Sequence, residues 1–238
     1  MDVGQNIEEL QRAGDYHLLR KKLKGGGIGS IFFGVVAIGM GIAFMEESPV
    51  NMILAIIGVF LLIEGIWIIR APSPKGMIID GIAMCIIGIW NIVVGIAGAA
   101  RWAVILGVFQ IYWGIKSFGQ YQRFSYLSSR KPSEQSMGQV EDIIKSVTKT
   151  KASESENIIE LQMENKQWKG ELTRDVAVFV AAAGDDVIFA RRGEVDFTPK
   201  GEVVPGKKRE GFIKMGGRSF AVKISPELME RYESWKGA

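Results

Sequence analysis

The chain has 238 residues, of which 47% are hydrophobic, and a formal net charge of +3. A charge so close to neutral argues against a nucleic-acid partner, because proteins of that class present a strongly basic surface. One histidine and one cysteine provide neither a metal-binding cluster nor a Ser/His or Cys/His catalytic set. We therefore predict a protein that is not an enzyme, with no catalytic residues, no metal, no cofactor and no intramolecular disulfide.

Residues 1–25 are predicted to form an amphipathic N-terminal helix. Asn6 and Glu9 have the spacing of a helix cap, and basic residues follow towards Lys24. Two interpretations stay open: the helix lies on the inner membrane surface among anionic lipids, or it is a solvated lead-in. The apolar side chains on its one face are Tyr16, Leu19 and Leu23.

Residues 26–120 are predicted to form an α-helical membrane bundle of four transmembrane helices. A helix needs about 20 apolar residues to cross the hydrocarbon layer. A long polar segment precedes the first apolar run and three more runs follow it, which is not typical of a cleaved signal peptide. The four runs are 28–45, 50–69, 77–96 and 99–118.

Glycine recurs at a spacing of seven within each of these runs. Seven residues is just under two helical turns, so each series lines one face of its helix. Small residues on one face allow close helix packing in lipid, where no hydrophobic drive brings helices together. The predicted helix-packing residues are Gly27, Gly34, Gly41, Gly58, Gly65, Gly81, Gly88, Gly95, Gly107 and Gly114.

The second and fourth runs share a Gly-Val-Phe motif followed by Gly-Ile, which predicts an internal repeat. The unit of repetition is one helical hairpin, and both hairpins enter from the same side of the membrane. This is a parallel duplication, unlike the inverted repeats of many transporters. The predicted correspondences are Gly34 with Gly81, Gly41 with Gly88, Gly58 with Gly107 and Gly65 with Gly114.

The basic residues predict the orientation of the chain. They precede the first run, separate the second from the third and follow the fourth, whereas the opposite loops hold Glu46, Glu47 and only Arg101. By the positive-inside rule both termini are cytoplasmic. We expect an integral protein of a prokaryotic plasma membrane.

Three ionisable residues lie furthest inside the predicted spans: Glu64, Asp80 and Lys116. At 1.5 Å per residue each lies about 7–10 Å from the cytoplasmic boundary, so the three could meet. One interpretation is a carboxylate site for a proton or cation with Lys116 as counter-charge. The other is a structural ion pair helped by snorkelling. Asn91 and Gln110 could form an interhelical hydrogen bond.

The remainder of the chain is predicted to be soluble. Residues 121–156 combine a juxtamembrane helix, a second helix with an apolar face around Val140 and Ile144, and a linker. Residues 157–238 change to a period of two, which predicts a small β-rich domain. Its expected strands are 158–163, 176–181, 187–190, 194–198, 212–215 and 219–224, with a tight hairpin at Gly216-Gly217.

Ser225 and Pro226 open a last helix with Leu228, Tyr232 and Trp235 on its inner face. Several strands followed by one terminal helix that holds a tryptophan, Trp235, resemble the pleckstrin-homology-like domains of some bacterial membrane proteins. The resemblance implies the fold and a capacity to bind a phosphoinositide, a peptide or another such domain. It assigns no binding residue.

These features favour a membrane-anchored interaction or sensing module whose partners are the lipid bilayer, a second copy of the chain, and a protein or peptide bound by the C-terminal domain. The alternative is a small oligomeric channel or a proton- or cation-coupled transporter that uses Glu64 and Asp80. An oligomer is required there, because four helices rarely enclose a path alone.

Overall fold

The computed structural model describes residues 7–43, 49–97, 101–150, 155, 157–182, 186–200 and 209–237. The chain divides into two compact units, one made of Leu19–Lys131 and the other of Met1–Leu18 with Pro132–Ala238. We call them the membrane unit and the soluble unit. The first helix contributes residues to both.

The membrane unit is built from four helices, and three of them, α1, α2 and α3, are long and apolar enough to span a membrane. The chain is therefore an integral membrane protein. The predicted N-terminal helix and first span are one continuous helix, α1, and the expected cap at Asn6 lies outside the described residues. The bounds are α1 Ile7–Ala43, α2 Pro49–Arg70, α3 Pro74–Ile96 and α4 Arg101–Ser129.

Large apolar side chains of the membrane unit point outward from all four helices. Ile28, Ile63, Ile96 and Ile105 are each more than 60% exposed. An apolar surface of this extent would be unfavourable in water and is the surface that lipid requires.

Glycines hold the helices of the membrane unit together in two pairs. A Cβ added at Gly58 would lie 2.7 Å from the Gly34 carbonyl oxygen, and one added at Gly65 would lie 2.5 Å from that of Gly27. Helices α3 and α4 meet in the same way, at Gly88 with Gly107 and at Gly81 with Gly114. Both backbones approach so closely that only hydrogen fits at these positions. Eight of the ten predicted packing glycines thus form four contacts, and Gly41 and Gly95 are buried.

The contacts in the two helix pairs match the glycines by their order along each helix. Gly34 and Gly88 both face the first glycine of the following helix, and Gly27 and Gly81 both face the second. In these contacts Gly34 occupies the place in its pair that Gly88 occupies in the other, whereas the sequence motif matched Gly34 with Gly81. The duplication itself stays a prediction.

The soluble unit contains one seven-stranded antiparallel sheet in the order β4-β3-β2-β1-β7-β6-β5. β1 and β7 pair only at Gln162–Lys223 and Met163–Val222, and the sheet curls there around a single apolar core. The strands are β1 Ile158–Met163, β2 Lys166–Leu172, β3 Val176–Ala181, β4 Val187–Arg191, β5 Asp196–Pro199, β6 Arg209–Met215 and β7 Arg218–Ile224.

The strand β2 is the one that the sequence did not predict. Its residues are mostly polar, and only Trp168, Gly170 and Leu172 are buried. The hairpin before it turns at Glu164 and Asn165, with φ of 47° and 65°, and these are not the usual glycine signals. By contrast Gly216 and Gly217, with φ of 54° and 72°, form the predicted hairpin between β6 and β7.

The last helix, α6 (Pro226–Gly237), closes the inner core as the sequence predicted. Ser225 caps it by accepting a hydrogen bond from the Leu228 amide at 3.3 Å. The hydroxyl of Tyr232 donates to the Val195 carbonyl oxygen at 3.1 Å, and the Trp235 indole donates to Thr173.

The outer face of the sheet carries a second apolar cluster, which two helices cover. Val176, Val178 and Val180 of β3 point outward, while Phe179 points into the inner core. Helix α5 (Glu134–Lys149) and the start of α1 pack on these valines. The N-terminal segment is therefore part of the soluble core, a packing that neither of the two predicted interpretations included. Its contacts come from Ile7, Leu10 and Ala13.

Candidate functional site

A polar cluster lies inside the membrane unit and takes one side chain from each helix. Its members are Ser30 of α1, Glu64 of α2, Asp80 of α3 and Ser117 of α4. Ser117 donates a hydrogen bond to Asp80 Oδ2 at 3.1 Å. Ser30 and Asp80 are the polar neighbours that act on the Glu64 carboxyl. The structure thus brings together the two acids that the sequence singled out.

Burial makes this cluster unusual. Ser30, Glu64 and Asp80 are only 0%, 4% and 7% exposed. Both Glu64 oxygens, Asp80 Oδ1 and Ser30 Oγ make no hydrogen bond within the described part of the chain. A buried carboxyl without partners is costly, so the site holds unused capacity to bind a positive ligand.

Lys116 does not join the cluster. Its side chain is exposed, and Nζ lies 5.9 Å from the ring centre of Tyr112. Ser117, the next residue, is the one that reaches Asp80. Asn91 and Gln110 form the predicted interhelical hydrogen bond, with the Asn91 amide donating at 2.7 Å.

The chemistry of the cluster is that of oxygen donors alone. Carboxylate and hydroxyl oxygens suit hard cations, whereas Zn²⁺ and its neighbours favour nitrogen and sulfur. Within the described ranges no three His, Cys, Asp or Glu side chains come together to hold a metal ion. The cluster can accept protons or a small hard cation.

A groove on the soluble unit is the second candidate site. It has a volume of about 290 Å³ and lies over β1, β7 and β6, with Phe212 among the residues that line it. Phe212 is 45% exposed and is the one large apolar side chain that the described part of the soluble unit leaves open to solvent. An exposed aromatic side chain in a concave surface is typical of a binding site.

Charged residues border this groove. Lys223 Nζ lies 2.9 Å from Glu210 Oε1, and Lys200 is also close to Glu210. The hydrogen bond from Lys223 lowers the pKa of Glu210 below its usual value. Glu164 and Gln162 complete the polar rim. The groove therefore combines one apolar contact with charges of both signs.

One edge strand of the sheet, β4, is paired with a side chain of α1. The Gln11 amide donates to the Val187 carbonyl oxygen at 3.0 Å and accepts from the Phe189 amide at 2.8 Å. One side chain thus makes both hydrogen bonds that a neighbouring strand would make there.

A further side-chain bond joins α5 to α1. Ser136 of α5 donates to Glu9 at 2.7 Å, and this bond lowers the pKa of Glu9.

Comparison with known proteins found no matching family model, no matching curated protein and no matching solved structure. The class of the molecule is therefore what its own residues define: an integral membrane protein with a soluble unit built on a curled antiparallel sheet.

Sequence reasoning missed two parts of these sites. Ser30 and Ser117 were not singled out, although their positions relative to Gly27 and Gly114, three residues along each helix, were a usable signal. Phe212 was predicted only as a strand residue. Its exposure depends on which face of β6 the curl of the sheet covers, and the sequence does not encode that plainly.

Proposed function

We propose that this chain is a non-enzymatic, multi-pass membrane protein that holds an interaction module at the membrane. The observation that carries the proposal is Phe212, exposed in a groove of a soluble unit whose other large apolar side chains, in the described residues, are covered. A single exposed apolar side chain is common on protein surfaces, so the proposal depends on the position of Phe212 in a concave groove with charges of both signs on its rim.

The partner that fits this groove is a protein or peptide segment that presents an apolar side chain among charged ones. Phe212 offers the apolar contact, and the Lys223–Glu210 pair offers both signs of charge beside it. Aromatic residues of this kind contribute most to binding where the partner removes them from water.

A pleckstrin-homology-like fold for the soluble unit belongs to the same proposal. The strand order β4-β3-β2-β1-β7-β6-β5 and a C-terminal helix that covers one core support it. We also propose that α4 is a fourth span and that the two helix pairs are duplicated hairpins. Support comes from the matching glycine contacts at Gly34–Gly58 and Gly88–Gly107. Both termini are cytoplasmic in this proposal.

Photo-crosslinking from position 212 tests the interaction. A photoreactive phenylalanine analogue is placed at 212 in the full chain, or at the exposed Glu230 of α6 as the matched control, in native membranes. We expect position 212 to crosslink one protein that position 230 does not. The purified partner should then bind Phe212→Ser at least tenfold more weakly, about 1.4 kcal/mol, and Glu230→Ser unchanged. Crosslinks to lipid alone, or none above the control, would contradict the proposal.

A second candidate, a small channel or coupled carrier, is favoured by the meeting of Glu64 and Asp80 in a buried cluster. Liposomes that contain the protein should then pass protons or monovalent cations, and Glu64→Gln should abolish the flux. Equal flux in both samples would exclude Glu64 from the path.

A further inference from the structure

The polar cluster of the membrane unit has the composition of an ion site. Its four side chains come from four different helices, so the whole bundle is needed to assemble it. We propose that Ser30, Glu64, Asp80 and Ser117 bind one sodium ion. The proposal concerns binding alone and is independent of the interaction at Phe212 and of whether any ion crosses the membrane.

The first argument is the burial of Ser30. Its hydroxyl is completely buried and has no hydrogen-bond partner, although a serine on a membrane helix commonly bonds a carbonyl of its own preceding turn. Ser30 instead lies beside the Glu64 carboxyl, whose two oxygens are also unpartnered. Four oxygen atoms of one cluster, with Asp80 Oδ1 as the fourth, thus have no hydrogen-bond partner in the described part of the protein, and a bound cation would satisfy them.

The second argument is charge. Two carboxyl groups this deeply buried cannot both remain ionised without compensation. Lys116, the cation predicted to compensate them, is exposed beside Tyr112. A single sodium ion on one carboxylate, with the other carboxyl protonated, brings the cluster to zero net charge.

The third argument is ligand type. Two carboxyl groups and two hydroxyl groups supply only oxygen atoms, which are the ligands of hard cations. Mg²⁺ keeps several waters and requires nearly ideal octahedral geometry, and Ca²⁺ takes six to eight oxygens. Ser117 already bonds Asp80, so the side chains offer fewer free oxygens than Ca²⁺ takes, and one monovalent charge matches one ionised carboxylate.

The fourth argument is space. Gly26 faces the cluster, and a Cβ added there would lie 3.5 Å from Asp80 Oδ1, the unpartnered oxygen. Any larger side chain at position 26 would fill the approach to that oxygen. Gly26 is itself partly exposed, so no side chain at this position covers this side of Asp80.

Equilibrium binding of radioactive sodium to the purified full-length protein in nanodiscs tests the proposal. Choline replaces sodium at constant ionic strength and pH, and size-exclusion chromatography verifies that each variant is folded. We expect saturable binding of one ion per chain. Glu64→Gln should abolish it and Ser30→Ala should weaken it at least tenfold. Asn91→Ala, which breaks the hydrogen bond to Gln110 instead, should leave it unchanged.

Three results would overturn the assignment. One is the absence of saturable sodium binding in folded wild-type protein, which would mean that both carboxyl groups are simply protonated. Another is unchanged binding in Glu64→Gln, which would place the ion elsewhere. The third is displacement of sodium by micromolar Ca²⁺, which would make the site divalent. None of these results bears on crosslinking at position 212.

Discussion

The two units of this molecule achieve close packing by opposite means. In the membrane unit the tightest contacts occur where side chains are missing, as at Gly34 and Gly58. In the soluble unit large side chains fill the core, and Phe179 and Phe189 are almost completely buried. Helices in lipid gain no hydrophobic free energy by associating, so backbone contact and dispersion must hold them together. In water, by contrast, the burial of each apolar side chain is itself favourable.

This difference predicts that the two units fail in opposite ways. The membrane unit should be sensitive to added atoms and the soluble unit to removed ones. If the same kind of substitution destabilised both units equally, a single packing principle would govern both.

The largest effect is expected from Phe179→Ala. Phe179 is completely buried in the inner core, and removal of its ring should lower the free energy of unfolding of the soluble unit by about 3–5 kcal/mol. Hydrogen exchange of the β3 amides in the full chain measures this. Phe212→Ala is the matched control, since Phe212 is exposed, and it should cost less than about 0.5 kcal/mol. A loss below 1 kcal/mol for Phe179→Ala would contradict the comparison.

Gly34→Ala should have the next largest effect. Its new methyl group would meet the Gly58 carbonyl oxygen at 2.7 Å, and overpacking of this kind costs about 1–3 kcal/mol. Unfolding in mixed SDS micelles measures the change. The same substitution at Gly39, on the same helix but with nothing within 4 Å of the new methyl, should instead stabilise α1 by about 0.5–1 kcal/mol. Equal responses at the two positions would refute glycine packing.

Gln11→Ala tests the paired sheet edge and should cost about 1 kcal/mol. The substitution leaves the Phe189 amide and the Val187 carbonyl without their partner. We expect faster hydrogen exchange at the Phe189 amide. Glu8→Ala, one turn earlier on α1 and exposed, should have no such effect. An unchanged rate at Phe189 would mean that water replaces the side chain at no cost.

The smallest effect should be a pH dependence at Glu9. The hydrogen bond from Ser136 lowers the pKa of Glu9 below 4.5, so it favours the ionised carboxylate. Its contribution is therefore fully present above pH 4.5 and is lost as the pH falls through the lowered pKa. Exchange at the start of α5, corrected for intrinsic rates, should rise over that range. Glu9→Gln should remove this response, and Glu8→Gln should retain it.

Much of the architecture was predictable because its signals are periodic and local. The heptad glycines predicted the helix faces that pack, and the alternation in Val176–Ala181 predicted a strand, which the structure buries on both faces. Ser225-Pro226 predicted the start of α6. Each of these signals is complete within about ten residues.

The parts that the sequence did not predict depend on long-range partners. The apolar stripe at the start of α1 is short and consists of Ile7, Leu10 and Ala13. It packs on a sheet whose strands lie about 170 residues later in the chain. The same holds for Ser30 and Ser117, which become notable only once α2 and α3 place Glu64 and Asp80 beside them. The role of such a side chain depends on residues of another helix, so the sequence around it does not indicate that role.

The start of α1 has a consequence for synthesis. Residues 7–13 leave the ribosome long before the strands that they cover, β3 and β4, because about 165 residues separate the two parts of the chain. Synthesis proceeds at about 5–20 residues per second, so this stripe waits many seconds for its partner while the spans are inserted. During that interval Ile7 and Leu10 are accessible to chaperones and to proteases. Chain termination before β4 would leave the stripe permanently exposed, which gives quality control a means to recognise an incomplete product.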